Sequence, residues 1–266
     1  MKTKITSILL TCLIGLLLSF VGCGKGKFPI TAAGSTAFQP FAEKLADQFM
    51  QAHPDTNITI QGGGSAVGIQ SALSGAAQIG MADLVILPPE AKSLTSVVVA
   101  RDGIALIVNL KNKINNLTLQ QIQGIYNGRI KNWKEIGGND HPINVISREA
   151  GSGTRSSFET IVKNISLTKE AIIQDSNGTV RETVINDVNA IGYLSHGLVN
   201  EKIKPLTVNG ISCTTEDIIK GKYILVRPIY LLTKGAPKDK IKDFIDYILS
   251  NQGQETIKSN GLIPAK

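Results

Sequence analysis

Strand-like and helix-like segments alternate along most of the chain, and this alternation predicts an α/β protein. Three observations carry the prediction. Apolar residues recur at helical spacing in "AFQPFAEKLADQFMQAHP" (37–54), short β-branched runs such as "NITIQ" (57–61) precede glycine-rich turns, and those turns lead into helices. Sheets built this way gather ligand groups at the carboxyl ends of their strands.

The elements follow in order. "FPITAAG" (28–34) reads as a buried strand running into a turn. The next helix places Phe38, Phe41, Ala42, Leu45, Ala46 and Phe49 on one stripe, with Glu43, Lys44 and Asp47 facing water. Ser35 or Thr36 is its expected N-cap. "NITIQ" is a strand, "GGGSAVGIQSALSG" (62–75) a glycine turn into a helix, and "AQIGMAD" (77–83) another strand. "DGIALIVNL" (102–110) is a long apolar strand, after which polar "KNKINN" restarts the pattern. "TLQQIQGIYNG" (118–128) is a helix, "NWKEIGG" (132–138) a loop, "INVIS" (143–147) a strand and "SGTRSSFETIVKN" (152–164) a helix. "AIGYLS" (190–195), the short helix "TEDIIKGKY" (215–223) and the strand "RPIYLLTKG" (227–235) come next. Residues 238–261 read as helical, with Ile241, Phe244, Ile245, Ile248 and Leu249 on one face. Two domains would be joined through strands, the chain crossing near 108–112 and again near 221–228.

The first 22 residues stand apart from this pattern. Lys2 and Lys4 precede an uncharged run of 16 residues that ends before "VGCG", which together make a secretory signal rather than a retained membrane anchor. "FVGC" resembles a bacterial lipobox with Cys23 as the lipidated residue; Phe20 stands where Leu, Val or Ile is usual. A diacylated N-terminus would hold residues 23–27 as a linker at the outer face of the cytoplasmic membrane. Cys12 leaves with the signal and Cys213 then stands alone, so no internal disulfide and no Cys/His metal cluster is expected. His53, His141 and His196 are scattered, and each reads as a surface or structural residue. The formal charge of +7 falls to about +5 without Lys2 and Lys4, compatible with an anionic ligand. With no arginine-rich run or basic–aromatic alternation, nucleic acid is not an expected partner.

Four loops share one chemistry. "AAGST" (32–36), "GGGSAVG" (62–68), "GMAD" (80–83) and "REAGSGTRSSFE" (148–159) set small hydroxyl residues, glycines, an aspartate and an arginine at strand ends, three of them at helix starts. Helix N-termini present unsatisfied N–H groups and partial positive charge, so converging starts would hold a buried anion. Such a cradle suits a nucleotide phosphate being turned over, a catalytic oxyanion, or a free ion that is only carried. Against an enzyme, "GSGTR" lacks the lysine and spacing of a P-loop, and "AGSGT" is not a nucleophile elbow. Trp133 reads as structural, whereas for Arg155 a solvated first-turn position and ligand contact stand open equally.

The chain resembles the phosphate-specific substrate-binding proteins of ABC importers. The resemblance runs through "GSTAFQPFAEKLADQF", "QGGGSAVGIQSAL", "AQIGMAD", "NLTLQQIQGIYNGRIKNWKEIGG", "SREAGSGTR", "NAIGYLS" and "RPIYLLTKG". It implies a class II periplasmic-binding-protein fold: two domains, 28–109 plus 224–266 and 110–223, each a mixed sheet flanked by helices, with a two-strand hinge. It further implies inorganic phosphate in the cleft, delivery to the permease subunits of an ABC importer, a monomer, no cofactor and no catalysis. By position the resemblance makes Ser35, Thr36 and Ser65 donors of one wall, and Arg148, Ser152, Gly153 and Thr154 the other. Asp83 would accept a hydrogen bond from protonated phosphate. Sulfate carries no proton at neutral pH, so it would face Asp83 as an uncompensated acceptor; arsenate shares phosphate's protonation. Some relatives restrain the arginine with an aspartate at the position of Ala150, and here only Glu149 is placed to do so.

Overall fold

A computed structural model describes residues 27–265; the expected signal segment and Cys23 lie outside them. β1 (Phe28–Gly34) leads to α1 (Gln39–Ala52), where Phe41, Ala42, Leu45, Ala46 and Phe49 are buried as the spacing predicts. The start of α1 differs from expectation. Neither Ser35 nor Thr36 caps it: the helix begins with Pro40 in its first turn, and the Ser35 hydroxyl closes the preceding turn by accepting from Phe38 N–H at 3.1 Å. Proline suits that first turn because its missing N–H would have had no helical acceptor.

β2 (Thr56–Gln61), α2 (Ser65–Ser74) and β3 (Ile79–Ala82) follow, with β1 lying between β2 and β3 and parallel to both. β4 (Thr95–Asn109) is 15 residues long, so the apolar run from 102 is its second half. Beyond it come β5 (Asn116–Leu117), α3 (Leu119–Tyr126), β6 (Asn144–Arg148), α4 (Gly153–Val162), β7 (Ile172–Gln174), α5 (Asn177–Asn186), β8 (Ala190–Ser195), β9 (Ile203–Pro205), β10 (Thr207–Val208) and α6 (Thr215–Ile219). The described chain ends with β11 (Val226–Thr233), α7 (Asp239–Leu249), α8 (Asn251–Ser259) and β12 (Ile263–Pro264).

Two local expectations are corrected. "NWKEIGG" holds a 3-10 turn, Trp133–Ile136, because Asn132 and Glu135 form a reciprocal capping box. Trp133 is buried there and its Nε1 donates to Asn189 O at 3.0 Å, a structural role. The segment 238–261 is two helices broken at Ser250, whose extended backbone and hydroxyl cap α8 at Gly253 N–H. The break lets both helices keep an apolar face on the same sheet.

The main sheet runs β2-β1-β3-β11-β4-β8-β6-β7. β4 spans its middle: Thr95–Gly103 pairs antiparallel with β11, and Ile104–Val108 pairs antiparallel with β8. One core holds Ile30, Leu45, Phe49, Ile79, Ile229, Phe244 and Ile248, while Ile69, Ala82 and Leu232 close the other face of that part of the sheet. A second core holds Ile104–Val108, Ile122, Tyr126, Phe158, Val180, Ile191 and Leu225, with the Phe158 and Tyr193 rings stacked at 4.3 Å. Each such large apolar side chain contributes roughly 1.5–3 kcal/mol by leaving water. Along β4 the core changes between Ala100 and Ile104, earlier than the polar restart after Leu110 suggests. An unbroken apolar run does not reveal which core each residue faces.

Gly34 fixes the geometry where β1 ends. Its φ is +135°, and a Cβ there would lie 2.2 Å from Met81 O and 2.8 Å from Gly68 Cα, both backbone atoms. Gly34→Ala is therefore expected to lower stability by at least about 2 kcal/mol, read as a reduced midpoint in urea unfolding; an unchanged midpoint would mean this approach is looser than the geometry states.

Candidate anion-binding site

The first wall is set by the ends of β1 and β3 and the start of α2. Ser35 N–H donates to Met81 O at 2.9 Å, locking the turn that carries Ser35 and Thr36 against β3. Ser65 opens α2, and its hydroxyl donates to Asp83 Oδ1 at 2.7 Å while accepting from Asp83 N–H at 3.0 Å. The hydroxyl of Ser65 is thus committed to Asp83. What it leaves for an anion is its backbone N–H in the first helical turn, where the helix supplies no acceptor.

The second wall is set by β6 and α4. Arg148 closes β6 with 1% exposure. Its Nε donates to Glu149 Oε2 at 2.9 Å and its Nη2 to Glu149 Oε1 at 2.8 Å, and Gln174 O and Asp175 O accept from the same two nitrogens. Glu149 therefore restrains this arginine in fork geometry. With that edge occupied, Nη1 is left buried and without a hydrogen-bond partner. Ser152 caps α4, its Oγ accepting from Arg155 N–H at 3.2 Å and its own N–H going to Glu149 O. Its hydroxyl hydrogen, with the first-turn N–H groups of Gly153 and Thr154, remains to donate. Arg155 Nη1 donates to Arg148 O at 2.9 Å and its Nε to Glu159 at 2.8 Å, a bracing role.

The walls touch. Thr154 Oγ1 donates to Asp83 Oδ2 at 3.1 Å, Ala66 N–H to Gly151 O at 3.1 Å, and Ser157 Oγ to Asp83 O at 3.0 Å. Only glycine fits at Gly153, since a Cβ would lie 2.1 Å from Ser65 Oγ and 2.5 Å from Asp83 Oδ1. The structure thus gathers Ser35, Thr36, Ser65, Asp83, Arg148, Ser152, Gly153 and Thr154 around one buried locus.

Four further residues, absent from the sequence reading, complete the locus. Arg227 on β11 is buried, with Nη1 2.7 Å from Asp83 Oδ2 and Nη2 2.8 Å from Asp102 Oδ2. Arg148 is therefore not the only cation here. Asp102 Oδ1 accepts from Ser195 Oγ at 2.9 Å, and Ser195 N–H donates to Asn177 Oδ1 at 3.0 Å. Asn177 Nδ2 reaches Thr36 Oγ1 at 3.1 Å, returning to the first wall. Burial pushes the Asp102 carboxyl up, against the opposing pull of Arg227. Asp102 and Arg227 left one signal in the sequence, charges embedded in the apolar runs "VVVARDGIALIV" and "ILVRPIYLL". Asn177 left only the helix-start pattern of "DSNGT".

Such a locus, with helix starts from both cores around a buried guanidinium, is that of a binding protein for a small anion. Residues 22–252 match the family model described as a PBP superfamily domain. The chain is 34% identical to the phosphate-binding protein PstS of Bacillus subtilis (strain 168) over 245 residues, covering 90% of this chain and 82% of that one. Identity to PstS of Borreliella burgdorferi is 28%, covering 89% and 90% of the two chains. Among solved structures, a Clostridium perfringens protein with bound phosphate matches with TM-score 0.87 at 40% identity, over 90% of this chain and 100% of that one. An ABC-type phosphate transport receptor from Vibrio cholerae matches with TM-score 0.74 at 36% identity, over 88% and 99%. The chain belongs to the PstS family of phosphate-binding proteins within the PBP superfamily, a family of binding proteins and not of enzymes.

Asn177 joins the walls through three groups, so its truncation has a defined cost. Asn177→Ala leaves the buried Ser195 N–H without its acceptor. It should destabilise the protein by about 1–3 kcal/mol, measured by thermal or urea unfolding; a variant as stable as the parent would show that water replaces the amide.

Proposed function

We propose that this protein binds inorganic phosphate between its two cores, outside the cytoplasmic membrane, and delivers it unchanged to the permease of an ABC importer. The observation that carries the reading is the buried Arg148 Nη1, unpartnered and held by Glu149 where α2, α4 and the Ser35–Thr36 turn converge. A phosphate oxygen would take that guanidinium, with further oxygens on first-turn N–H groups and the hydroxyls of Thr36 and Ser152. Asp83 Oδ1 accepts one bond from Ser65, and a carboxylate oxygen has capacity for a second. That second position suits the hydroxyl of a protonated phosphate.

One lobe would be built on the first core and the other on the second, hinged where β4, between Ala100 and Ile104, and β11 pass from one core to the other. Opening would part the contacts of Thr154, Ala66 and Asn177 across the walls, and ligand would shift the population toward the closed form. Removal of residues 1–22 and lipidation of Cys23 would leave a monomer tethered to the membrane. Cys23→Ala is expected to move the protein from the membrane fraction to the soluble fraction; retention at the membrane would exclude the lipid tether.

Calorimetric titration with phosphate and sulfate near neutral pH tests the central reading. Phosphate should bind and sulfate should not compete; tight sulfate binding with no phosphate response would overturn the role given to Asp83. Arg148→Ala should weaken phosphate more than about tenfold, roughly 1.4 kcal/mol. Wild-type affinity in that variant would remove Arg148 from the site.

A further inference from the structure

Asp83 is surrounded by groups that fix its two oxygens. Ser65 Oγ accepts from the Asp83 amide at 3.0 Å, so its own hydrogen is free to point at Oδ1, 2.7 Å away. Thr154 Oγ1 donates to Oδ2 at 3.1 Å, and Arg227 Nη1 lies 2.7 Å from that same oxygen. Two hydroxyl donors and one guanidinium in ion-pair contact, though not in hydrogen-bond geometry, thus surround the two carboxyl oxygens. Arg227 alone among them supplies a charge. It reaches Asp83 from β11, opposite Asp102 on β4, where the two strands change core.

We propose that Arg227 is the positioning and specificity-determining residue of the site: it holds the Asp83 carboxylate fixed as an acceptor, so that only an oxyanion bringing its own proton is accepted. The proposal rests on the phosphate reading above and adds the residue that makes Asp83 selective. Deprived of that cation, a carboxylate buried to 1% exposure loses the contact that fixes Oδ2, and its oxygens are free to turn from the anion toward other donors. The fixed acceptor is then lost, and with it the barrier against a fully deprotonated tetrahedral anion. The other charged groups near the pair are already committed. Asp102 is held by Arg227 Nη2, and His196, Cys213 and Tyr223 face Asp102. On the second wall Arg148 pairs with Glu149 and Arg155 with Glu159. None of these is in place to substitute for Arg227 at Asp83 Oδ2.

The test is calorimetric titration of the full chain and its Arg227→Met and Arg227→Lys variants with inorganic phosphate and with sulfate near neutral pH. In Arg227→Met the phosphate-to-sulfate affinity ratio should fall at least about tenfold. Arg227→Lys, which keeps the charge, should retain the ratio within about threefold. Because Arg227→Met leaves two buried carboxylates unpaired, the double variant Arg227→Met, Asp102→Leu removes the pair together and should show the same loss of selectivity. A folded Arg227→Met or double variant that keeps the parent's ratio overturns the proposal. A parent protein that does not bind phosphate overturns the phosphate reading instead, and the two failures are told apart by the parent's own titration.

Discussion

Arg227 lies between two buried carboxylates, and much of the structure is arranged so that these three charges never stand alone. Moving an ion from water into a protein interior costs several kcal/mol even after relaxation, and only close pairing offsets it. Arg227 and Asp102 are direct cross-strand partners in the β11–β4 ladder, and Asp83 follows β3 on the other side of β11. The register of three strands is thereby pinned. A slip of one residue would turn the charges to the opposite face and leave each of them unpaired.

The same trio links the two cores. From Asp102 the hydrogen bonds run through Ser195 and Asn177 to Thr36, and from Asp83 they run to Thr154 and Ser65. The Asn177 amide also donates to Thr154 Oγ1 at 3.4 Å, which closes the network into a ring through Arg227. A buried network of this kind is costly when half made and rigid when complete. It therefore favours two discrete arrangements over a continuum, which is what a protein that encloses and releases an ion requires.

Much of this was legible in the sequence, and the gaps have physical causes. The stripe of α1 and the glycine loops were readable because helical spacing and small residues at strand ends leave a local pattern. Those loops, with Arg148 and Asp83, were enough to place both walls. Arg227 and Asp102 escaped because a charge inside a strand run looks the same whether it faces water or a partner on a strand far along the chain. The break at Ser250 escaped because polar "SNQG" continues a helical pattern in composition while the Ser250 backbone leaves it. The occupation of the Arg148 fork by Glu149 was foreseen as a restraint, yet which edge it takes is decided by Gln174 and Asp175, distant in the chain.

β12 has a bearing on how the chain is made. It pairs with β4 at Arg101 and Ala100, so a strand near the start of the sequence waits for residues 263–264 before its neighbours are complete. The second core, Ile263 apart, is drawn from residues 104–225, whereas the first needs β11, α7 and α8. As the chain emerges from its N-terminus, the nested core is therefore the first to have all its parts, and the outer one must stay open until the end. A polypeptide with that order of assembly completes its fold late, because its longest-range strand pairings form last.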